Sequence, residues 1–174
     1  MRPSILVAGV GLMFCACPEM RTPVTDTRLP DQVVEDFVVH ETSSGVRLYT
    51  LQAERAFVFD REQRSDVVNP RVTFYEEGLT VNAVLSADSG VVYSRTEDLV
   101  ARGNVRVQTA DSTVLLTDSL AWSSALRVVR TDAAVEIFTP NGNLRGVGLV
   151  SDAGLQRIEI LSEVSGTSSY ELGP

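Results

Sequence analysis

The chain has 174 residues, a formal net charge of −8, 44% hydrophobic residues, a single histidine and two cysteines. That length suits one domain with a substantial core, and the acidic balance excludes recognition of nucleic acid or other polyanions by charge. Both cysteines lie at positions 15 and 17, so no disulfide staples the rest of the chain and its stability must come from packing.

Residues 1–17 carry one early positive charge, Arg2, then an apolar run over 5–14, then the small Ala16 directly before Cys17. This is the layout of a secretory signal. A bilayer span needs about 20 apolar residues, and Pro18, Glu19 and Arg21 end this run sooner. The order Leu12, Met13, Phe14, Cys15, Ala16, Cys17 resembles the bacterial lipobox, although Phe14 and Cys15 fit its upstream positions imperfectly. It makes Cys17 the expected lipidation site. Two other readings stand beside it: an uncleaved signal serving as a short anchor, and a cytosolic Cys-x-Cys metal or redox pair, which the apolar setting disfavours. A lipid chain pair or a retained helix would each hold the body to a membrane.

Residues 18–35 are rich in Pro, Thr and Asp without a hydrophobic period and read as a flexible tether. Residues 31–40 fit one helical turn or a first strand, and β-branched content favours a strand from Phe37. The body is expected over 36–166, followed by a disordered tail over 167–174. After Gly45 come short β runs at 46–53, 56–60, 71–75, 79–86, 90–94, 99–102 and 105–109. They continue at 112–116, 119–123, 127–130, 134–138, 143–150 and 155–164. Turn residues separate them at 76–78, Gly103-Asn104, Ala110-Asp111 and Pro140-Asn141-Gly142. No stretch sustains a 3.6-residue period, which excludes a helix-rich domain.

An internal repeat appears when residues 88–107 are laid on 118–137: Asp88-Ser89 meets Asp118-Ser119, Leu99 meets Val129, and Val105-Arg106-Val107 meets Val135-Glu136-Ile137. Repeats of this size stack strand on strand, so an elongated, folded-over sheet is expected. Alternation in Val105-Arg106-Val107, Leu120-Ala121-Trp122 and Val135-Glu136-Ile137 sends Val105, Val107, Leu120, Trp122, Val135 and Ile137 to one face. By pattern alone that face fits the core of a closed β-sandwich as well as the lining of a groove.

Four fragments in order resemble the LptC/LptA (OstA-like) family. They are Tyr49-Thr50-Leu51-Gln52-Ala53, Ala101-Arg102-Gly103-Asn104-Val105-Arg106-Val107, Leu115-Leu116-Thr117-Asp118-Ser119-Leu120-Ala121-Trp122, and the Gly-x-Gly-Leu hairpin Leu144-Arg145-Gly146-Val147-Gly148-Leu149. The likeness covers roughly residues 45–166. It implies an all-β fold, a bent open β-jelly-roll of stacked antiparallel strands, whose interior carries acyl chains. On that expectation the lipid-binding interior is Val105, Val107, Leu120, Trp122, Val135, Ile137, Ile158 and Ile160.

The resemblance further implies a periplasmic bridge of lipopolysaccharide export, anchored in the inner membrane more readily than the outer. It would receive lipopolysaccharide from an inner-membrane ABC transporter and pass it to an LptA-like partner. The expected joints are strand edges at Phe37, Val39, Ile158 and Leu161. No cofactor, metal site or catalytic residue is expected. His40 beside Glu41 reads as solvated, the charges Asp60, Arg61, Glu62, Arg64 and Asp66 as a hairpin loop, and Gly146-Val147-Gly148 lacks the rest of a dinucleotide motif. The alternative function is a structural or adhesive surface lipoprotein with a closed β-sandwich core.

Overall fold

A computed structural model describes residues 29–76 and 79–168. The signal segment with Cys17, most of the tether, residues 77–78 of the turn at 76–78 and the end of the tail lie outside the described residues. The described chain forms eleven strands in one antiparallel sheet. These are β1 (Gln32–Ser43), β2 (Val46–Phe59), β3 (Arg64–Val68), β4 (Arg71–Tyr75), β5 (Val81–Ser86), β6 (Ser89–Tyr93), β7 (Asp98–Thr109), β8 (Val114–Ser123), β9 (Val128–Thr139), β10 (Gly142–Asp152) and β11 (Ile158–Ser168).

The sheet runs as a meander. Strands β3 and β4 lie end to end along β2 in one register, with Arg55 opposite Val68 and Gln52 opposite Arg71. Strands β5 and β6 continue that arrangement against them and then both pair with β7. From β7 the order proceeds through β8, β9 and β10 to β11, while β1 covers the far side of β2. The sheet therefore does not close on itself, and β1 and β11 are its edges.

Most strands bend near the middle, and the bends line up across the sheet. Backbone φ is positive at Asp36 (49°), Asn69 (49°), Gly103 (75°), Asn104 (45°), Gly148 (76°) and Glu163 (54°). Pairing register shifts between Arg102 and Val105, between Thr117 and Ala121, and between Val147 and Leu149. Short polar residues tolerate the left-handed region by hydrogen bonding locally, and glycine enters it without a Cβ penalty. Here the bends also bond to one another. Asn69 N–H donates to the Asp88 carbonyl and Asp88 N–H to that of Gly103, each at 3.0 Å. The Asn104 and Asn69 amides reach the carboxylates of Asp88 and Glu54, both at 2.8 Å.

This crease folds the sheet into two wings whose apolar faces meet. Phe74 of β4 lies on one wing and Trp122 of β8 on the other, with ring centroids 5.2 Å apart. Residues from both wings form one buried cluster, and each fully buried aliphatic side chain contributes about 1.5–3 kcal/mol.

Several runs that look separate in sequence are single bent strands. The runs at 99–102 and 105–109 join in β7, those at 119–123 and 112–116 in β8, and those at 46–53 and 56–60 in β2. Gly103-Asn104 is thus a bulge within a strand rather than a turn, and Gly146-Val147-Gly148 lies within β10 rather than in a hairpin. The backbone preference that makes a turn also makes a bulge. Strand β1 begins at Gln32, inside the segment read as tether, and β11 begins only at Ile158, leaving Leu155 in the preceding turn. The 30-residue repeat is a hairpin repeat: β6 with β7 is followed by the second half of β8 with β9.

Gly103→Ala should destabilise the protein by about 1–3 kcal/mol, because a Cβ there would sit 2.6 Å from the Asp88 carboxylate at a φ of 75°. Gly45→Ala, at a φ of 80° in open space, should cost less. Urea unfolding of the two variants checks this, and equal midpoints would refute a special strain at the crease.

Candidate functional site

Inward-facing residues on one wing line up across strands into a single aliphatic row. Val39 faces Leu51, Leu51 faces Val72, and Val72 faces Leu85. Leu85 faces Val107, then come Leu115, Ile137 and Leu144, where β10 meets Gly166 of β11. At about 4.8 Å per strand the row is roughly 40 Å long. It runs from the edge strand β1 to β10 with no polar side chain in it, ending at Leu144, which is 38% exposed beside Gly166 of the edge strand β11. The facing wing carries a matching row of Val34, Ala56, Val67, Gly90, Ala101 and Leu120.

Six of the residues expected to line an interior, Val105, Val107, Leu120, Trp122, Val135 and Ile137, are buried here, while Ile158 and Ile160 are half-buried and pack against the same cluster. The first, second, fifth and sixth lie on the wing of the long row; the other four lie on the facing wing. Leu51, Val72, Leu85 and Leu115 belong to the row; Leu51 and Leu115 stand in two of the quoted fragments, Val72 and Leu85 in none, and nothing in the sequence aligns the four. Only cross-strand register reveals them.

The interior is filled. Between the wings, beside Phe74 and Trp122, a cavity measures about 20 Å³, room for a single water, while a wider space of about 620 Å³ opens at the hairpin ends between Val46, Leu48 and Tyr75 of one wing and Arg127 of the other. The hairpin ends opposite the crease also meet. Tyr49 is buried there, and its hydroxyl is held protonated well beyond the usual range, first by burial and then by the carboxylates of Glu41, Glu97 and Asp98. Leu155, in the turn between β10 and β11 at a φ of 53°, is buried in the shared core, and the neighbouring Gly154 lies against Asn82 of the other wing.

The two edges differ from the middle. On β1, Phe37 and Val39 point inward and are half-buried, while Val33 and Val38 stand exposed on the outer face. On β11, Ile158 points inward and Leu161 is 53% exposed, lying over Gly148 of β10. The structure therefore brings Phe37, Val39, Ile158 and Leu161 to the two edge strands at opposite ends of one sheet, each paired on one side only.

Other polar groups are occupied locally. His40 shares a 3.0 Å hydrogen bond with Thr50. Arg64 stacks 4.7 Å over the Phe59 ring and lies 3.6 Å from Asp66, both within or beside β3 rather than in a loop. The Asp111 carboxyl is held below its usual range by the Thr109 hydroxyl, then by the Thr113 N–H, which closes the β7–β8 turn. Among the described residues no group of three or more His, Cys, Asp or Glu side chains is placed to hold a metal ion, and no helix is long and apolar enough to cross a membrane.

Tyr49 gives a test of the wing closure. A phenol whose folded pKa lies above its unfolded value, about 10, adds stability that is complete below that pH and is lost as the pH rises past it. Tyr49→Phe should therefore lose less stability than the wild type between neutral pH and pH ~11. Urea midpoints at the two pH values measure this, and an identical drop in both proteins would contradict it.

Comparison with known proteins follows the geometry. The family described as "Lipopolysaccharide-assembly, LptC-related" matches residues 5–171. No curated protein matches the sequence. Among solved structures, the chain is similar to LptH, the LptA homologous periplasmic component of the conserved lipopolysaccharide transport device from Pseudomonas aeruginosa. The TM-score is 0.54 at 10% identity, covering 70% of this chain and 95% of that one. That likeness concerns the fold.

Proposed function

Because the chain belongs to the LptC-related family of lipopolysaccharide-assembly proteins, we propose that it carries lipopolysaccharide through the periplasm, with acyl chains lying between the two wings. The observation that supports this most directly is the aliphatic row from Val39 to Leu144, which is unbroken from the edge strand β1 to β10, next to the other edge strand β11.

In this reading the acyl chains provide the affinity, because the protein surface is acidic and repels anionic headgroups. Each methylene buried between the wings contributes about 0.8 kcal/mol. The small remaining cavity means that the wings must part at their hairpin ends, turning about the crease, before a chain can enter. Val105, Val107, Val135 and Ile137 would line one side of the path, and Leu120, Trp122, Ile158 and Ile160 the other.

The edges supply the joints. An inner-membrane ABC transporter would deliver the lipid at one edge and an LptA-like protein would extend the sheet at the other, through main-chain pairing at Phe37 and Val39 or at Ile158 and Leu161. The body would hang from the inner membrane through a lipid on Cys17 or through a retained signal segment. Its role is transport, with no chemical step.

A second reading, a structural or adhesive surface lipoprotein with a closed core, is favoured by the filled interior. Photo-crosslinking separates the two. Probes placed at Val135 or Leu120 should capture lipopolysaccharide during export at least about ten-fold above a probe at Arg106, which is exposed on the outer face. Equal labelling at all three positions would favour the closed lipoprotein. For the anchor, Cys17→Ser should release the protein from the membrane fraction if the lipid holds it and leave it bound if the signal segment does.

A further inference from the structure

Among the described residues four buried side-chain polar atoms have no hydrogen-bond partner: Arg64 Nε and Asp66 Oδ1, whose side chains form an ion pair with each other, and two that have no such charge partner. The indole N–H of Trp122, a residue 8% exposed, and the hydroxyl of Ser151, 3% exposed, are both buried without a hydrogen bond. They lie in one inward row of the same wing. Trp122 pairs with Val129, Val129 with Ser151, and Ser151 with Ile158. Two strand spacings separate them, about 10 Å.

A buried donor left unpaired carries a desolvation cost that a phenylalanine or an alanine at the same place would avoid. Other buried hydroxyls in this protein are satisfied: Thr117 donates to the Ala134 carbonyl at 2.8 Å, and Thr109 bonds across its turn. Water does not resolve the case of Trp122. The 20 Å³ space beside it is walled by side chains such as Leu51, Val72, Phe74 and Leu99, and the indole is the one polar side chain around it. A buried water needs two to four polar partners.

We propose that Trp122 and Ser151 form a polar pair within the apolar path that recognises acyl chains carrying oxygen along their length, as a chain hydroxyl or an ester carbonyl. The proposal rests on the carrier reading above and adds the class of chain selected. When the wings part and a chain lies along the row, its methylenes take the places against Val129 and Ile158. An oxygen on the chain accepts from the indole N–H, and a second accepts from Ser151 or a hydroxyl donates to it. A plain hydrocarbon chain would bury the same two groups still unpaired, so the site discriminates through the penalty it leaves on the wrong ligand.

Trp122 is the single tryptophan of the chain, so its fluorescence reports binding directly. The full-length protein is titrated with 3-hydroxytetradecanoate and with tetradecanoate, below their micelle concentrations, and calorimetry follows the same titrations for Trp122→Phe and Ser151→Ala. The hydroxylated probe should bind the wild type about five-fold more tightly, the worth of one net hydrogen bond. The double variant should bring that ratio to about one. Thermal unfolding should find Ser151→Ala at least as stable as the wild type, because an unpaired hydroxyl is removed with little loss of volume. Equal binding of the two probes by the wild type, or a preference that survives in the double variant, would overturn the polar pair and leave the carrier reading standing. Failure of both probes to bind would overturn the pair and the carrier reading together.

Discussion

The crease is the constraint on which the rest of this molecule depends. A flat sheet of eleven strands would leave its apolar face in water. Bending most strands at nearly the same level lays one half of that face on the other. The bends need backbone conformations that most residues resist, and the chain places Asp36, Asn69, Gly103, Asn104 and Gly148 there. Strain at the individual bends is offset by bonds between them, such as Asn104 to Asp88 and Asn69 to Glu54. The crease is therefore a structural unit running across the strands rather than a set of independent irregularities.

Burial in this architecture is organised along two directions. Along each strand, alternation divides inside from outside. Across strands, register aligns the inside residues into rows, and the row from Val39 to Leu144 runs from the edge strand β1 to β10, beside the edge strand β11. A closed barrel would have no such ends. Because β1 and β11 each pair on one side only, the apolar row and the available backbone hydrogen bonds terminate close together at both ends of the sheet. A relay between proteins of this architecture can thus join backbone and lipid path in a single contact.

Filling and function pull in different directions here. The wings pack to leave about 20 Å³, which stabilises the resting protein, and they meet at their hairpin ends through Tyr49, Leu155 and Gly154. On the carrier reading proposed above, entry of an acyl chain would replace protein contacts with lipid contacts of similar chemistry, so opening would exchange one apolar neighbour for another. The unpaired indole of Trp122 and hydroxyl of Ser151 would be the exceptions, gaining a partner from the chain that enters.

The sequence by itself determined the all-β class, the inward set Val105, Val107, Leu120, Trp122, Val135 and Ile137, and the hairpin repeat, because side-chain alternation and turn chemistry are local and survive in a string of letters. It did not distinguish a turn from a bulge at Gly103-Asn104, since both use the same positive-φ preference and only the continued pairing of β7 with β8 separates them. Nor did it reveal Leu51, Val72, Leu85 and Leu115 as one row, or Ser151 as lying in one row with Trp122 two strands away. Those relations are set by register between strands far apart in the chain, and register is decided when the tertiary structure forms.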